Sequence, residues 1–330
     1  MKFIAFNVRD DERQYFETWI KENQIEVDLY TDEITPDNLD LVKGYDAVIA
    51  LQPNEYPKEF FSKFAEFGGK VFSIRNVGVD NIDLEAAAQN NIPVTNVPAY
   101  SPNAIAEFSV TLLLQLLRNT EIFEKRMQAN DYRWAPYVGK EIHDLTVGIL
   151  GTGRIGQAAI QIYKGFGAKI VAFDPYHNPE LEKEDIYVDS KEELYAKADV
   201  ISLHMPATKQ DEHMIDQDAI ALMKDGVYII NTARGSLIDT KALLAALKSG
   251  KIAGAGLDTY EYENPIFNHD LRGQKIEDEL FNELVSLDNV LVTPHVAFYT
   301  QTAVKNMVTV ALDSAKSVIE TGSAATLVKK

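Results

Sequence analysis

The stretch from Leu145 to Asp174, LTVGILGTGRIGQAAIQIYKGFGAKIVAFD, restricts this chain more than any other. Thr146 to Leu150 is a short apolar run of the kind that forms a buried parallel strand. It breaks into Gly151, Gly153 and Gly156, spaced G-x-G-x-x-G. Ile155 to Phe166 reads as a helix, and Lys169 to Phe173 is a second apolar run that ends on Asp174. Strand, glycine turn, helix, strand and terminal acid is the order a dinucleotide-binding βαβ unit requires. Gly151 allows a tight turn, and Gly153 removes a side chain where backbone must approach a pyrophosphate. Gly156 lets helix and sheet pack closely. The helix N-terminus offers unpaired N–H groups and a partial positive charge to the phosphates, with Arg154 and Ile155 at that end. Asp174, eighteen residues beyond Gly156, can accept hydrogen bonds from the adenosine ribose hydroxyls and would repel a 2′-phosphate. Pro175 and Tyr176 offer no cation to bind one, so NAD is expected rather than NADP.

The glycine unit begins near the middle of the chain, not at its N-terminus, and a domain boundary is expected near residue 100. Residues 1 to 100 alternate between strand-like and helix-like runs. Phe3–Phe6, Val27–Tyr30, Ala47–Leu51, Val71–Ile74 and Pro93–Asn96 read as strands, and Asp11–Glu22, Thr35–Val42, Lys58–Phe67 and Leu84–Gln89 as helices. Such alternation indicates a small open parallel α/β domain. From Pro102 to about Arg118 a helix is expected that is apolar almost all round, and so buried on several faces. Its cover is either a second subunit or another domain of the same chain. Asn119 to Asp144 is more polar, with WAPYVGKEI (134–142) as a surface connection leading into the glycine unit. After Asp174 the alternation resumes and ends in a long helix, Thr302 to Glu320, which is free to return to the first domain. The expected fold is therefore α/β, with two Rossmann-like or flavodoxin-like parallel-sheet domains and an active-site cleft between them. Residues 1–100 plus 300–330 form the substrate-binding domain, and residues 101–299 form an inserted NAD-binding domain.

A net charge of −18 argues against a nucleic-acid or anionic-membrane surface, so neither kind of partner is expected. It also means that an anionic substrate must be caught by a local cation. The absence of cysteine excludes disulfides and thiolate nucleophiles and fits a cytoplasmic setting. No G-x-S-x-G elbow is present, and His204 and His213 are too widely spaced for a histidine metal site, so no metal is expected. Three residues near predicted strand ends remain: Arg234, Glu263 and His295. Strand carboxyl ends are where open α/β sheets bind ligands. The Arg234 guanidinium suits bidentate binding of a carboxylate, or a structural ion pair. His295 suits a general acid–base, or a satisfied core position. Glu263 could orient that histidine, or stand as a solvated loop acid.

Several stretches together settle these choices by resemblance. GTGRIG with Asp174, SLHMP (202–206), NTARGSLID (231–239), LDTYEYE (257–263) and VTPHVAFYT (292–300) resemble the D-isomer-specific 2-hydroxyacid dehydrogenase family. RNVGVDNIDL (75–84) and NVPAYSPNAIAE (96–107) resemble it too, so the likeness runs over nearly the whole chain. AYSPNAIAE and PHVAFYT point to its D-lactate and D-2-hydroxyisocaproate branch. The resemblance implies NAD-dependent reduction of a 2-keto acid: pyruvate, or a larger one such as 2-ketoisocaproate or phenylpyruvate. It implies that Arg234 grips the substrate carboxylate, that Val77 and Gly78 offer it backbone N–H groups, and that His295 donates the proton. Glu263 would pair with His295 and favour its charged form. Tyr100 and Tyr299 would line the substrate site. Met205, Pro206, Asp211, Thr232 and Ala233, with Arg234 alongside, would lie along the cofactor, and Asp258 near the nicotinamide. Asp211 stands where relatives often carry Asn. Leu51 stands where lactate-preferring relatives often carry an aromatic residue, which leaves room for a larger substrate tail. A homodimer is expected. Some relatives are instead NAD(H)-sensing corepressors, but the extra peptide-binding features or long tails usual in those are not seen in this sequence.

Overall fold

In the computed structural model, which describes residues 1–328, the chain divides into two units, Met1–Ser101 with Tyr299–Lys330 and Pro102–Phe298. The first is built on five parallel strands: β1 (Lys2–Ala5), β2 (Glu26–Leu29), β3 (Ala47–Ala50), β4 (Val71–Ile74) and β5 (Val94–Thr95), in the order β2-β1-β3-β4-β5. Phe3 pairs with Val27 on one side and Ala47 on the other. All residues of β3 and β4 are buried, as strands must be when helices cover both faces, and the one polar residue among them, Ser73, is hydrogen-bonded. On one face Phe60, Phe61 and Phe64 of helix Phe60–Glu66 pack with Phe72 and Tyr56. On the other, Phe16 and Trp19 of helix Asp10–Asn23 pack with Val308, Ala311 and Leu312 of helix Gln301–Thr321. Trp19 Nε1 donates to Asp313 at 2.7 Å and Ser73 Oγ to the Ala311 carbonyl at 2.8 Å, so the last helix completes the first unit's core. At the carboxyl ends of β1, β3 and β4, the fully buried Arg75 donates to both carboxylate oxygens of the equally buried Glu12 and to the carbonyls of Phe6, Asn7 and Ile49. The short helix expected at Thr35–Val42 is a 3₁₀ helix, Pro36–Val42, with Thr35 as its N-cap.

The second unit has six parallel strands: β6 (Thr146–Leu150), β7 (Lys169–Phe173), β8 (Val200–Leu203), β9 (Val227–Asn231), β10 (Ile252–Leu257) and β11 (Val290–Val292). Their order is β11-β10-β9-β8-β6-β7. In each unit the strand order reverses beside the first strand, between β1 and β3 and between β6 and β8. Ligands of open α/β sheets bind at such points, at the strand carboxyl ends. The apolar helix Pro102–Leu117 is buried within its own unit, against helix Arg154–Gly165 and the sheet. Gly254 and Gly256 make that approach possible, since a Cβ at Gly256 would lie 2.8 Å from Leu112 Cβ. Of the two covers the sequence left open, neither is needed for most of its apolar surface. The more polar stretch that follows contains a helix, Thr120–Gln128, that buries no residue completely and that the sequence pattern did not reveal. No helix among the described residues is long and apolar enough to cross a membrane.

Candidate active site

The glycine turn follows β6 directly. Gly151 has φ +92°, and a Cβ there would meet the His204 carbonyl at 2.7 Å. A Cβ at Gly156 would fall 2.0 Å from the Gly151 carbonyl, so the helix can start only if residue 156 has no side chain. At Gly153, the N-cap of helix Arg154–Gly165, a Cβ would meet nothing within 4 Å. Two glycines are thus required by the protein's own packing, whereas Gly153 keeps open a space that the protein does not fill. Asp174, at the end of β7, braces this turn. Its Oδ2 accepts the Thr152 N–H at 2.6 Å and the Thr152 hydroxyl at 3.2 Å, and its Oδ1 accepts the Tyr176 N–H at 2.8 Å. Thr152 also bonds the Tyr187 hydroxyl at 2.8 Å, and the Tyr187 ring stacks on His177 at 3.9 Å.

The next strand ends carry the remaining candidates of this unit. After β8 come the buried His204, then Met205 and an exposed Pro206. Farther along the loop, the Asp211 carboxylate accepts the Thr208 hydroxyl at 2.6 Å. After β9, Thr232 is buried and Ala233 half-buried. Asn231, unnoticed in the sequence, shapes this turn: its Oδ1 accepts the Ala233 N–H at 3.0 Å and its Nδ2 donates to the Arg234 carbonyl at 2.8 Å. Arg234 caps the short 3₁₀ turn Gly235–Leu237. Three buried polar atoms at these ends, His204 Nδ1, Thr232 Oγ1 and Thr259 Oγ1, find no hydrogen-bond partner among the described residues. Orphaned polar atoms beside an open glycine turn fit a site completed by a polar ligand, and the donor set fits a dinucleotide.

After β10 the chain turns through Asp258 to Glu263, and after β11 through Thr293 to Ala297. Glu263 Oε1 bonds His295 Nδ1 at 2.7 Å, while its Oε2 accepts the Tyr260 N–H at 2.8 Å. His295 has φ +55°, a left-handed backbone that costs energy in any residue with a side chain. The fully buried Asp258 holds it there, accepting the Thr293 hydroxyl at 2.5 Å and the N–H groups of Val296 and Ala297 at 2.9 and 2.7 Å. Burial pushes the Asp258 carboxyl above its ordinary value, against these hydrogen bonds and the nearby His295, which pull it down. Asp258 is thus a brace for the His295 turn.

In the first unit the candidates also gather at strand carboxyl ends. Leu51 follows β3 and is half-buried. Val77 and Gly78 follow β4; their carbonyls accept Asn96 Nδ2 at 2.8 Å and Asn76 Nδ2 at 3.0 Å. A carbonyl oxygen can only accept, so any carboxylate contact would fall to their N–H groups. Tyr100 follows β5, and its carbonyl takes Asn306 Nδ2 at 2.7 Å. Tyr299 opens the return segment, with the Arg9 guanidinium 5.7 Å above its ring.

A glycine turn at the switch point of a parallel sheet, with an acid at the next strand end and a carboxylate–imidazole pair on the same edge, defines an NAD-dependent oxidoreductase of the α/β class. Residues 110–297 match the family description "D-isomer specific 2-hydroxyacid dehydrogenase, NAD binding domain". The D-lactate dehydrogenase of Lactiplantibacillus plantarum is 57% identical over 330 residues, covering 100% of this chain and 99% of that one. Among solved structures, a D-2-hydroxyisocaproate dehydrogenase superposes with a TM-score of 0.94 at 44% identity, covering 100% of both chains. The NAD-complexed D-isomer specific 2-hydroxyacid dehydrogenase of Lactobacillus delbrueckii ssp. bulgaricus superposes with a TM-score of 0.88 at 37% identity, again over 100% of both. The chain belongs to the D-isomer specific 2-hydroxyacid dehydrogenase family.

Proposed function

We propose that this protein reduces pyruvate to D-lactate. The observation that carries the reading is the Glu263–His295 pair, bonded at 2.7 Å on the strand edge that also holds Arg234. NADH, when bound, supplies the hydride. Gly151, Gly153, Arg154, Ile155 and Gly156 would hold its pyrophosphate and Asp174 its ribose. Met205, Pro206, Asp211, Thr232 and Ala233 would line its length, with Asp258 at the nicotinamide end. Arg234 would clamp the substrate carboxylate through its planar fork, and Val77 and Gly78 would add N–H donors. With Nδ1 engaged by Glu263, His295 would deliver its proton to the keto oxygen from Nε2. Tyr100 and Tyr299 would line the substrate.

A second reading rests on Leu51. A residue smaller than an aromatic at this place would admit a branched or aromatic tail, and 2-ketoisocaproate or phenylpyruvate would then compete with pyruvate. Comparing kcat/KM for the three acids decides between them: a dominant pyruvate value removes the wider-pocket reading, and no turnover with any of them removes the dehydrogenase reading. We also propose a cytoplasmic homodimer. The apolar side chains Met127, Trp134 and Val138, all exposed in the single chain, support a partner surface. Light scattering that returns a monomer mass would overturn it.

A further inference from the structure

Two carboxylates leave the turn after β10 two residues apart. Glu263 holds His295, and Glu261 holds a different imidazole. Glu261 Oε1 bonds His213 Nε2 at 2.5 Å, and its Oε2 accepts the Thr240 hydroxyl at 2.9 Å. The Glu261 side chain is only 10% exposed. His213 lies in the loop after β8, in a left-handed conformation with φ +53°. Its own N–H donates to the Ser236 carbonyl at 2.8 Å. Ser236 is in the 3₁₀ turn capped by Arg234. That turn is pressed on the other: a Cβ at Gly235 would lie 2.1 Å from the Tyr260 carbonyl carbon.

We propose that His213 is a positioning residue of this enzyme. Its backbone holds the turn of Arg234 and its ring holds the turn of Glu263, with Glu261 as the anchor, so that one residue sets the spacing between the carboxylate clamp and the proton donor. The proposal rests on the dehydrogenase reading for its kinetic consequence, but not for the tether itself. A charge-assisted bond to a largely buried carboxylate is stronger and more directional than a neutral one. The groups facing the ring are Glu261, Asp239 and Glu212, all acidic, and the bond to Glu261 raises the His213 pKa above its ordinary value. The charged tether is therefore complete below the ordinary histidine range and is lost as pH rises through the raised value.

The test compares the full-length wild type with His213→Ala, His213→Gln and Glu261→Ala, using NADH and pyruvate. Hydrogen exchange is followed in the segments 232–240 and 258–263. His213→Ala should lower kcat/KM by about 10- to 100-fold, the range expected when reacting groups shift by up to an ångström, and both segments should exchange faster. His213→Gln keeps an uncharged donor for Glu261. It should recover kcat/KM to within about 3-fold, and its exchange should lose the rise expected of the wild type as pH climbs above the ordinary histidine range, once intrinsic rates are removed. Folded His213→Ala with kcat/KM within about 2-fold of wild type overturns the proposal, even if its Tm falls, because that is what a purely structural contact would do. If His213→Ala does not fold, Glu261→Ala, which removes the ring's partner outright, decides in its place by the same criteria. If the wild type turns over no 2-keto acid, the dehydrogenase reading fails, and the exchange of the two segments alone supports or overturns the tether.

Discussion

One methyl group added at two places in the glycine turn should have two different effects. At Gly156 the new Cβ would lie 2.0 Å from the Gly151 carbonyl oxygen, about 1.4 Å short of ordinary contact. Backbone cannot swing away as a side chain can, so the helix must shift off the sheet. Overpacking of this kind costs roughly 1–3 kcal/mol, or a Tm fall of about 2–12 °C for a domain of this size. At Gly153 the same methyl meets nothing within 4 Å, and φ there is −63°, which alanine adopts freely. Gly153→Ala should therefore leave Tm within about 2 °C of wild type, since the fold is asked to accommodate almost nothing. If the open space is where the pyrophosphate lies, NADH binding should weaken by about 10- to 100-fold, equivalent to roughly 1.4–2.7 kcal/mol. Thermal melts without cofactor and NADH fluorescence titrations measure the two quantities separately. Wild-type NADH affinity in Gly153→Ala would refute the assignment of this turn to the pyrophosphate, and an unchanged Tm in Gly156→Ala would refute the packing argument.

His295→Ala should lower kcat by about 10²–10⁴-fold while NADH still binds, and unchanged turnover would remove His295 from the chemistry. Glu12→Gln leaves the fully buried Arg75 without its counter-charge and should cost about 3–5 kcal/mol in urea unfolding; a loss below about 1 kcal/mol would mean the carbonyls of Phe6, Asn7 and Ile49 suffice. Burial pushes the His204 pKa down to about 4. As pH falls the unfolded chain takes that proton first, so the neutral ring's contribution is whole above about pH 6.5 and is lost as pH falls through the folded value. This amounts to on the order of 3 kcal/mol. His204→Asn should flatten the stability curve between those limits, and an unaltered acid slope would show that other groups set it.

Most of the fold was legible because its signals are local. The strands β3, β4 and β6 are short, mostly apolar runs, and the glycine turn sits between strand and helix within thirty residues. What escaped was either weakly patterned or dependent on contacts distant in sequence. Helix Thr120–Gln128 buries no residue completely, so its apolar spacing carried little information. The largely apolar helix Pro102–Leu117 was rightly read as buried, except along the exposed line of Asn103, Glu107, Thr111 and Gln115, and part of its cover lies at Gly254 and Gly256, some 140 residues downstream. The pairing of Glu263 with His295 could be considered from the sequence, yet nothing in EYEN distinguishes Glu263 from Glu261 as a partner. The two imidazoles lie on opposite sides of those carboxylates in the chain order, 48 residues before Glu261 and 32 after Glu263.

By itself, then, the amino-acid order determined the class of fold, the dinucleotide turn and the family, because periodicity, glycine spacing and short motifs are written within a few tens of residues. Tertiary structure alone decided which groups meet. It gave Asp258 to the backbone of the His295 turn, Asn231 to the Arg234 turn and Glu261 to His213. A parallel sheet brings its carboxyl-end loops together from strands far apart in the chain, and a hydrogen bond forms only within about 3 Å, a distance that sequence spacing cannot specify.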